Sequence, residues 1–270
     1  MSGTSTVPKG IDPDRPSPAR VYDCYLGGTH NFAADRAVAA QAVAAFPELP
    51  QIMRYNRAFL GRAVQMAARE GVDQFLDLGS GIPTAGNVHE TARAIRPGAR
   101  VVYVDIDPVA VIHSRSILAD DPDSAVLQAD MLEADRVLGD PVVTGMLDLR
   151  RPVCLLMVAV LHFQPDTPEL RAALTRYRDA LPPGSFLVVS HATDEGRPED
   201  VAKVTDLYNK VSRPLVPRNS EQLRDLLAGW DLVEPGVAQG PDWRPDPANP
   251  PPADIWRYAT LVAVGRKPAG

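Results

Sequence analysis

The stretch QFLDLGSGIPT, Gln74–Thr84, runs from a buried strand pattern into glycines, and its reading decides the fold. Phe75, Leu76 and Leu78 make the short apolar run expected of a strand covered on both faces, and Gly79 and Gly81 open the turn after it. A glycine turn between a strand and a helix commonly receives a phosphate on its backbone amides. Here the dinucleotide fingerprint G-x-G-x-x-G is broken, because Thr84 stands at its third glycine. Pro83 withholds an N–H from the turn, and Asp77 brings a carboxylate to the strand end, where a diphosphate would be repelled.

Outward from this stretch, ARVVYVD, AVLQAD, PVCLLMVAVL and SFLVVSHA are further short apolar runs, separated by helical patterns such as PVAVIHSRSILAD and TPELRAALTRYRDAL. Strands alternating with helices define an α/β protein with a doubly wound, mostly parallel sheet. WDLVEPG and YATLVAVGRK read as two final strands forming an antiparallel pair. RPEDVAKVTDLYNKV and NSEQLRDLLAGW read as helices, the second capped by Asn219 or Ser220. Ahead of the sheet, FAADRAVAAQAVAAF is a helix ended by Pro47 and Pro50, and IMRYNRAFLGRAVQMAARE is a second one stopped by Gly71. RVYDCYLGGTHN, Arg20–Asn31, is too irregular for a helix. The expected organisation is a flexible tail over 1–18, an N-terminal lid and helical extension over 19–71, and a core over 72–270 with a proline-rich surface loop at 241–253.

The 270 residues are enough to bury a large core, and 45% hydrophobic with 23% charged residues is the balance of a globular protein. A net charge of −6 disfavours a nucleic-acid partner. Cys24 and Cys154 are expected as reduced thiols in a cytoplasmic protein, no metal-ligand spacing occurs, and the N-terminus has no apolar segment for a signal or membrane anchor.

A ligand with a positive end and no phosphate reverses the electrostatic objection, since an ammonium beside Asp77 makes a charge-assisted pair of about 1.5–3 kcal/mol. S-adenosylmethionine is such a ligand. The second strand brings Asp105 to the carboxyl edge of the sheet, where it can accept from ribose hydroxyls, with Asp107 as an alternative. The third brings Asp130, an acceptor for an adenine amine, with Met131 or Ile106 to pack on the ring.

FLDLGSG, VVYVDIDP and LQADM resemble the cofactor motifs of class I S-adenosylmethionine-dependent methyltransferases. ARVYDCYLGGTHNFAADR, YNRAFLGRAV, GIPTAGNVHE and VLHFQPD resemble the signatures of a narrower S-adenosyl methyltransferase family, over Pro18 to Lys267. Two departures stand out: Pro83 where the broader class often has a third glycine, although the narrower family resembles it there, and Ile106 in place of a polar residue. The resemblance implies a seven-stranded Rossmann-like sheet carrying the cofactor across its carboxyl edge. Gly79 and Gly81, with Ser80 between them, would line the methionine moiety, Asp105 would bind ribose, and Asp130 and Met131 would frame adenine.

Methyl transfer from a sulfonium needs mainly alignment and exclusion of water, with a general base where the acceptor carries a proton. His162 after the fourth strand, His191 at the end of the fifth, and His30 in the lid are the candidates, each set against a structural role. Tyr22 in the lid is a cofactor candidate against core packing, and Arg57 a partner for the cofactor carboxylate against an ordinary salt bridge. Trp230, Trp243 and Trp256 are candidates for an acceptor pocket, set against packing. The expected protein methylates a small molecule; a non-catalytic S-adenosylmethionine or S-adenosylhomocysteine binder and an NAD(P)-dependent oxidoreductase are the alternatives.

Overall fold

The structure is a computed structural model describing residues 12–83, 86–211, 213–248, 250, 253, 254 and 258–269. Thr84, Trp256 and the first eleven residues of the expected tail lie outside it. Among the described residues three helices precede the sheet: α1 (Pro18–Tyr25), α2 (Ala33–Ala45) and α3 (Leu49–Arg69). α1 corrects the expectation of irregular chain over Arg20–Asn31 for Arg20–Tyr25, whereas Leu26–Asn31 are irregular. Eight residues are too few for a helix to stand alone, so its stability comes from packing. Val21 and Tyr25 are buried with Val38, Ala42 and Ile52 of the neighbouring helices, and Arg20 pairs with Asp35 of α2 at 3.1 Å, both side chains inaccessible. Gly27, at φ +78°, carries the chain out of the helix. Pro50 helps to start α3 rather than end α2, because in the first turn its missing N–H has no helical partner to lose.

The sheet follows as β1 (Gln74–Leu78), α4 (Val88–Arg93), β2 (Arg100–Asp105), α5 (Pro108–Ile117), β3 (Ser124–Gln128), the short α6 (Ala134–Gly139) and α7 (Pro141–Met146), and β4 (Cys154–Val158). Then come α8 (Pro168–Ala180), β5 (Phe186–Ala192), α9 (Pro198–Val211), α10 (Ser220–Leu226), the two-residue β6 (Asp231–Leu232) and β7 (Ala238–Gln239), and β8 (Thr260–Arg266). Strand order is β3-β2-β1-β4-β5-β8-β6, with β7 also paired to β8. The first five strands are parallel and β8 runs antiparallel to β5. β6 and β7 pair with successive stretches of β8 on the edge that β5 leaves open, so eight strands occupy the seven expected positions.

Both faces of the central strands are covered, as their unbroken apolar runs require. Leu76, Leu78, Val102 and Val104 pack towards α6, α7 and α8, whereas Phe75, Val101 and Tyr103 pack on α3 and α4. The proline-rich segment begins inside the molecule: Trp243 is fully buried, edge-on to Phe59 of α3 at 5.3 Å, and Arg62 donates to its carbonyl at 2.9 Å. Trp230 packs over Gly265, so both described tryptophans serve packing and neither lines the cavity below.

Candidate functional site

The strand ends and the N-terminal helices enclose a cavity of about 510 Å³. Every residue singled out for the cofactor lines it: Tyr22, Arg57, Asp77, Gly79, Ser80, Gly81, Asp105, Ile106, Asp107, Asp130 and Met131. Gly79 and Gly81 have φ of +69° and +62°, a region that disfavours any side chain. A Cβ on Gly79 would also lie 2.2 Å from Cγ2 of Val160. The amides of Gly79 and Ser80 both donate to the Val104 carbonyl, at 2.8 and 3.1 Å, and that of Gly81 donates to Oδ2 of Asp105 at 2.7 Å. The N–H groups that would hold a diphosphate are taken up by the protein itself.

The four carboxylates differ in what they leave for a ligand. Asp107 caps α5, accepting from the Val109 amide at 2.8 Å on one oxygen and from the Ser17 hydroxyl on the other, so Asp105 is the better ribose acceptor of the two. Asp105 accepts one amide on each oxygen, Gly81 and Asp107, and keeps further lone pairs. Burial raises its pKa against the pull of those amides. Asp130 accepts from the Leu132 amide with Oδ1, leaving Oδ2 without a protein donor among the described residues, while Met131 is buried and Ile106 is 40% exposed, a large apolar side chain on the cavity wall. Asp77 is 6% exposed, and its carboxyl makes no hydrogen bond among the described residues. Burial pushes its carboxyl up to about 7; the charge of Asp105 adds to this and that of Arg57 opposes it.

Arg57 donates to the Gly86 carbonyl at 2.9 Å, which fixes its guanidinium near Asp77 on the same wall. The Tyr22 hydroxyl accepts from Asn56 Nδ2 at 2.9 Å and contacts the Met53 carbonyl at 3.4 Å; burial raises its pKa. An acidic wall lacking free amides, with a nearly buried carboxyl that has no hydrogen-bond partner, fits a cationic amino-acid nucleoside.

The three histidines part company. His30 does not line the cavity; its ring stands edge-on to His113 at 4.6 Å, and its amide donates to Asp23. His191 is fully buried with both ring nitrogens engaged: Nδ1 donates to the Ala192 carbonyl at 2.7 Å, and Nε2 accepts from Arg218 at 2.7 Å. Burial, aided by the Arg218 charge, brings its pKa down to about 4. His162, in the single 3₁₀ turn Leu161–Phe163, lines the cavity and accepts from the Ala192 amide with Nδ1 at 3.2 Å. Burial, then the charges of His191 and Arg218, hold its pKa well below the ordinary value. The ring is therefore neutral, and the bond to Nδ1 assigns its proton to Nε2. His162 offers the cavity a donor, not a basic lone pair.

Arg218 escaped the reading of the sequence, and LVPRNS carries no motif that marks it. It is 3% exposed and donates to the carbonyls of Leu161 at 3.1 Å and Gln164 at 2.7 Å as well as to His191, fixing the turn that bears His162. Ala159 was also missed. At φ +57° it bends the chain out of β4 before the expected Leu161, its amide bonded to the Ser190 hydroxyl at 2.9 Å.

A parallel sheet flanked by helices, with a cavity at its carboxyl edge and an acidic residue near the end of each of the first three strands, is the class I methyltransferase arrangement. A family model for S-adenosyl methyltransferases matches residues 4–268, and the chain belongs to that S-adenosylmethionine-dependent family. It is 39% identical to a candidate methyltransferase from Thermobifida fusca YX, covering 98% of this chain and 100% of that one with a TM-score of 0.92. It is 37% identical to a DUF574 family protein from Streptomyces avermitilis MA-4680, covering 95% and 99% with a TM-score of 0.90. Human N-acetylserotonin methyltransferase in complex with SAM, 16% identical over 91% of this chain and 62% of that one, shares the fold at a TM-score of 0.50. No curated protein sequence matches significantly.

Proposed function

We propose that the protein transfers the methyl group of S-adenosylmethionine to a small-molecule acceptor held in the same cavity. The observation that carries this reading is the continuity of the cavity from the acidic strand ends to an apolar chamber between α2, α3 and α9, lined by Phe46, Ile52, Val201, Val204 and Tyr208. A single continuous space with one polar and one apolar arm suits two ligands side by side. S-adenosylmethionine, when bound, supplies an already activated methyl group. In this reading Asp105 holds the ribose, Asp130, Met131 and Ile106 hold the adenine, Asp77 faces the ammonium, and Arg57 with Tyr22 receives the carboxylate. Within the lid and helices of 19–71, α1 acts as the lid: Ala19 approaches Gly81, and Ser17, just before the helix, bonds Asp107. The net charge of −6 favours a small molecule over nucleic acid, and the two free thiols favour the cytoplasm. Among the described residues no helix is long and apolar enough to cross a membrane.

Calorimetric titration with S-adenosylhomocysteine and NAD tests the reading. Binding of the first alone is expected, and binding of NAD alone would refute it. Because none of the three histidines presents a basic nitrogen to the cavity, binding without catalysis is the second reading. Release of S-adenosylhomocysteine in the presence of an acceptor separates the two.

A further inference from the structure

The carboxylates lining the cavity are sorted, whereas its arginines are spread, with Arg15, Arg20 and Arg57 on the acidic side and Arg213 on the other. Its acidic side chains, Asp12, Asp23, Asp77, Asp105, Asp107 and Asp130, belong to the N-terminal segment and the ends of β1 to β3. The wall built by the His162 turn, α9 and the segment after it adds no carboxylate to the cavity lining among the described residues and presents one arginine, with a second, Arg218, buried behind it. Arg213 lines the cavity, half-buried, with no hydrogen bond or ion pair among the described residues. Arg218, directly behind His162 and His191, forms no ion pair either; nearby Asp166 is bonded to Arg171 at 2.7 and 2.8 Å. Charges in a partly desolvated pocket act over longer range than in water, so this arm repels cations and attracts anions.

The same arm is aromatic. The Phe163 and Tyr208 rings lie 5.9 Å apart, and the Tyr208 hydroxyl meets that of Tyr25 at 3.2 Å across the chamber. His162 adds an N–H whose nitrogen has no partner among the described residues. We infer that the acceptor is a ring-bearing carboxylate, its ring packed against the wall of Phe163, Tyr208 and Phe46 and its anionic oxygens towards Arg213 and the Nε2–H of His162. In the transfer one carboxylate oxygen bonds to the methyl carbon as the sulfonium S–C bond breaks, giving a methyl ester and S-adenosylhomocysteine, and no proton has to be removed, which fits a site whose histidines offer no base. This inference rests on the cofactor reading above.

The test is calorimetry on protein saturated with S-adenosylhomocysteine, using three probes of one shape: 2-naphthoate, 2-naphthalenemethanol and 2-naphthylmethylamine. Naphthoate is expected to bind about tenfold or more tightly than the alcohol, and the amine not to bind, since a charge-assisted bond replaces a neutral one. Arg213→Gln should reduce naphthoate to the affinity of the alcohol, and Arg213→Lys should restore part of the preference, with S-adenosylhomocysteine binding unchanged in both. Equal or tighter binding of the amine, or a preference for naphthoate that survives Arg213→Gln, would overturn the inference. Binding of S-adenosylhomocysteine without any naphthoate binding would overturn it alone. No binding of S-adenosylhomocysteine to the native protein would overturn the cofactor reading and this inference with it.

Discussion

Asp77→Asn preserves the shape of a buried side chain and removes its titration. The carboxyl sits at about 7 against an ordinary 3.8, so the fold holds its proton more tightly than the unfolded chain does. A raised value contributes stability that is complete below pH 3.8 and is lost as pH rises through about 7. At about 1.4 kcal/mol per pH unit, the ionised carboxylate costs the ligand-free protein about 4 kcal/mol above pH 7 as an upper bound. The variant escapes that cost. Urea unfolding at pH 5.5 and pH 8 should find Asp77→Asn more stable than the native protein, with the advantage larger at pH 8. The same change removes the anion proposed to meet the ligand ammonium, so S-adenosylhomocysteine should bind more weakly by about 1.5–3 kcal/mol. A site that stores instability in its ligand-free state and recovers it on binding predicts both signs together. A variant no more stable at pH 8, or one with the same advantage at both pH values, would refute the reasoning.

Asp105→Ala should weaken S-adenosylhomocysteine by about 1.5–3 kcal/mol in calorimetry, because the charged ribose acceptor is lost and the Gly81 and Asp107 amides lose theirs. Gly79→Ala places a methyl 2.2 Å from Val160 in a backbone region at φ +69°, so a lowered melting temperature and loss of ligand binding are expected. Arg218→Met deprives the Leu161 and Gln164 carbonyls and His191 Nε2 of their donor, a loss on the order of 3 kcal/mol in denaturant unfolding at about 1 kcal/mol or more per group.

The parallel strands, the glycine turn and the acidic residues at the strand ends were legible from QFLDLGSG, VVYVDIDP and LQADM, because a strand followed by a turn fixes its own last side chain at the sheet edge. The helical state of Pro18–Tyr25 was not legible. Its local pattern is weak, and burial against α2 and α3 decides it. The histidines were located by their strands but not assigned by them. His162 became a donor through an amide of β5, His191 was closed by Arg218, and His30 turned to His113. The sequence by itself determined the strands and the acidic residues at their ends, since both are written in patterns a few residues long. The proton on His162, the arginines of the second arm and the seating of Trp243 in the core came from the tertiary structure alone, because a titratable group takes its state from whichever distant side chains and backbone dipoles surround it.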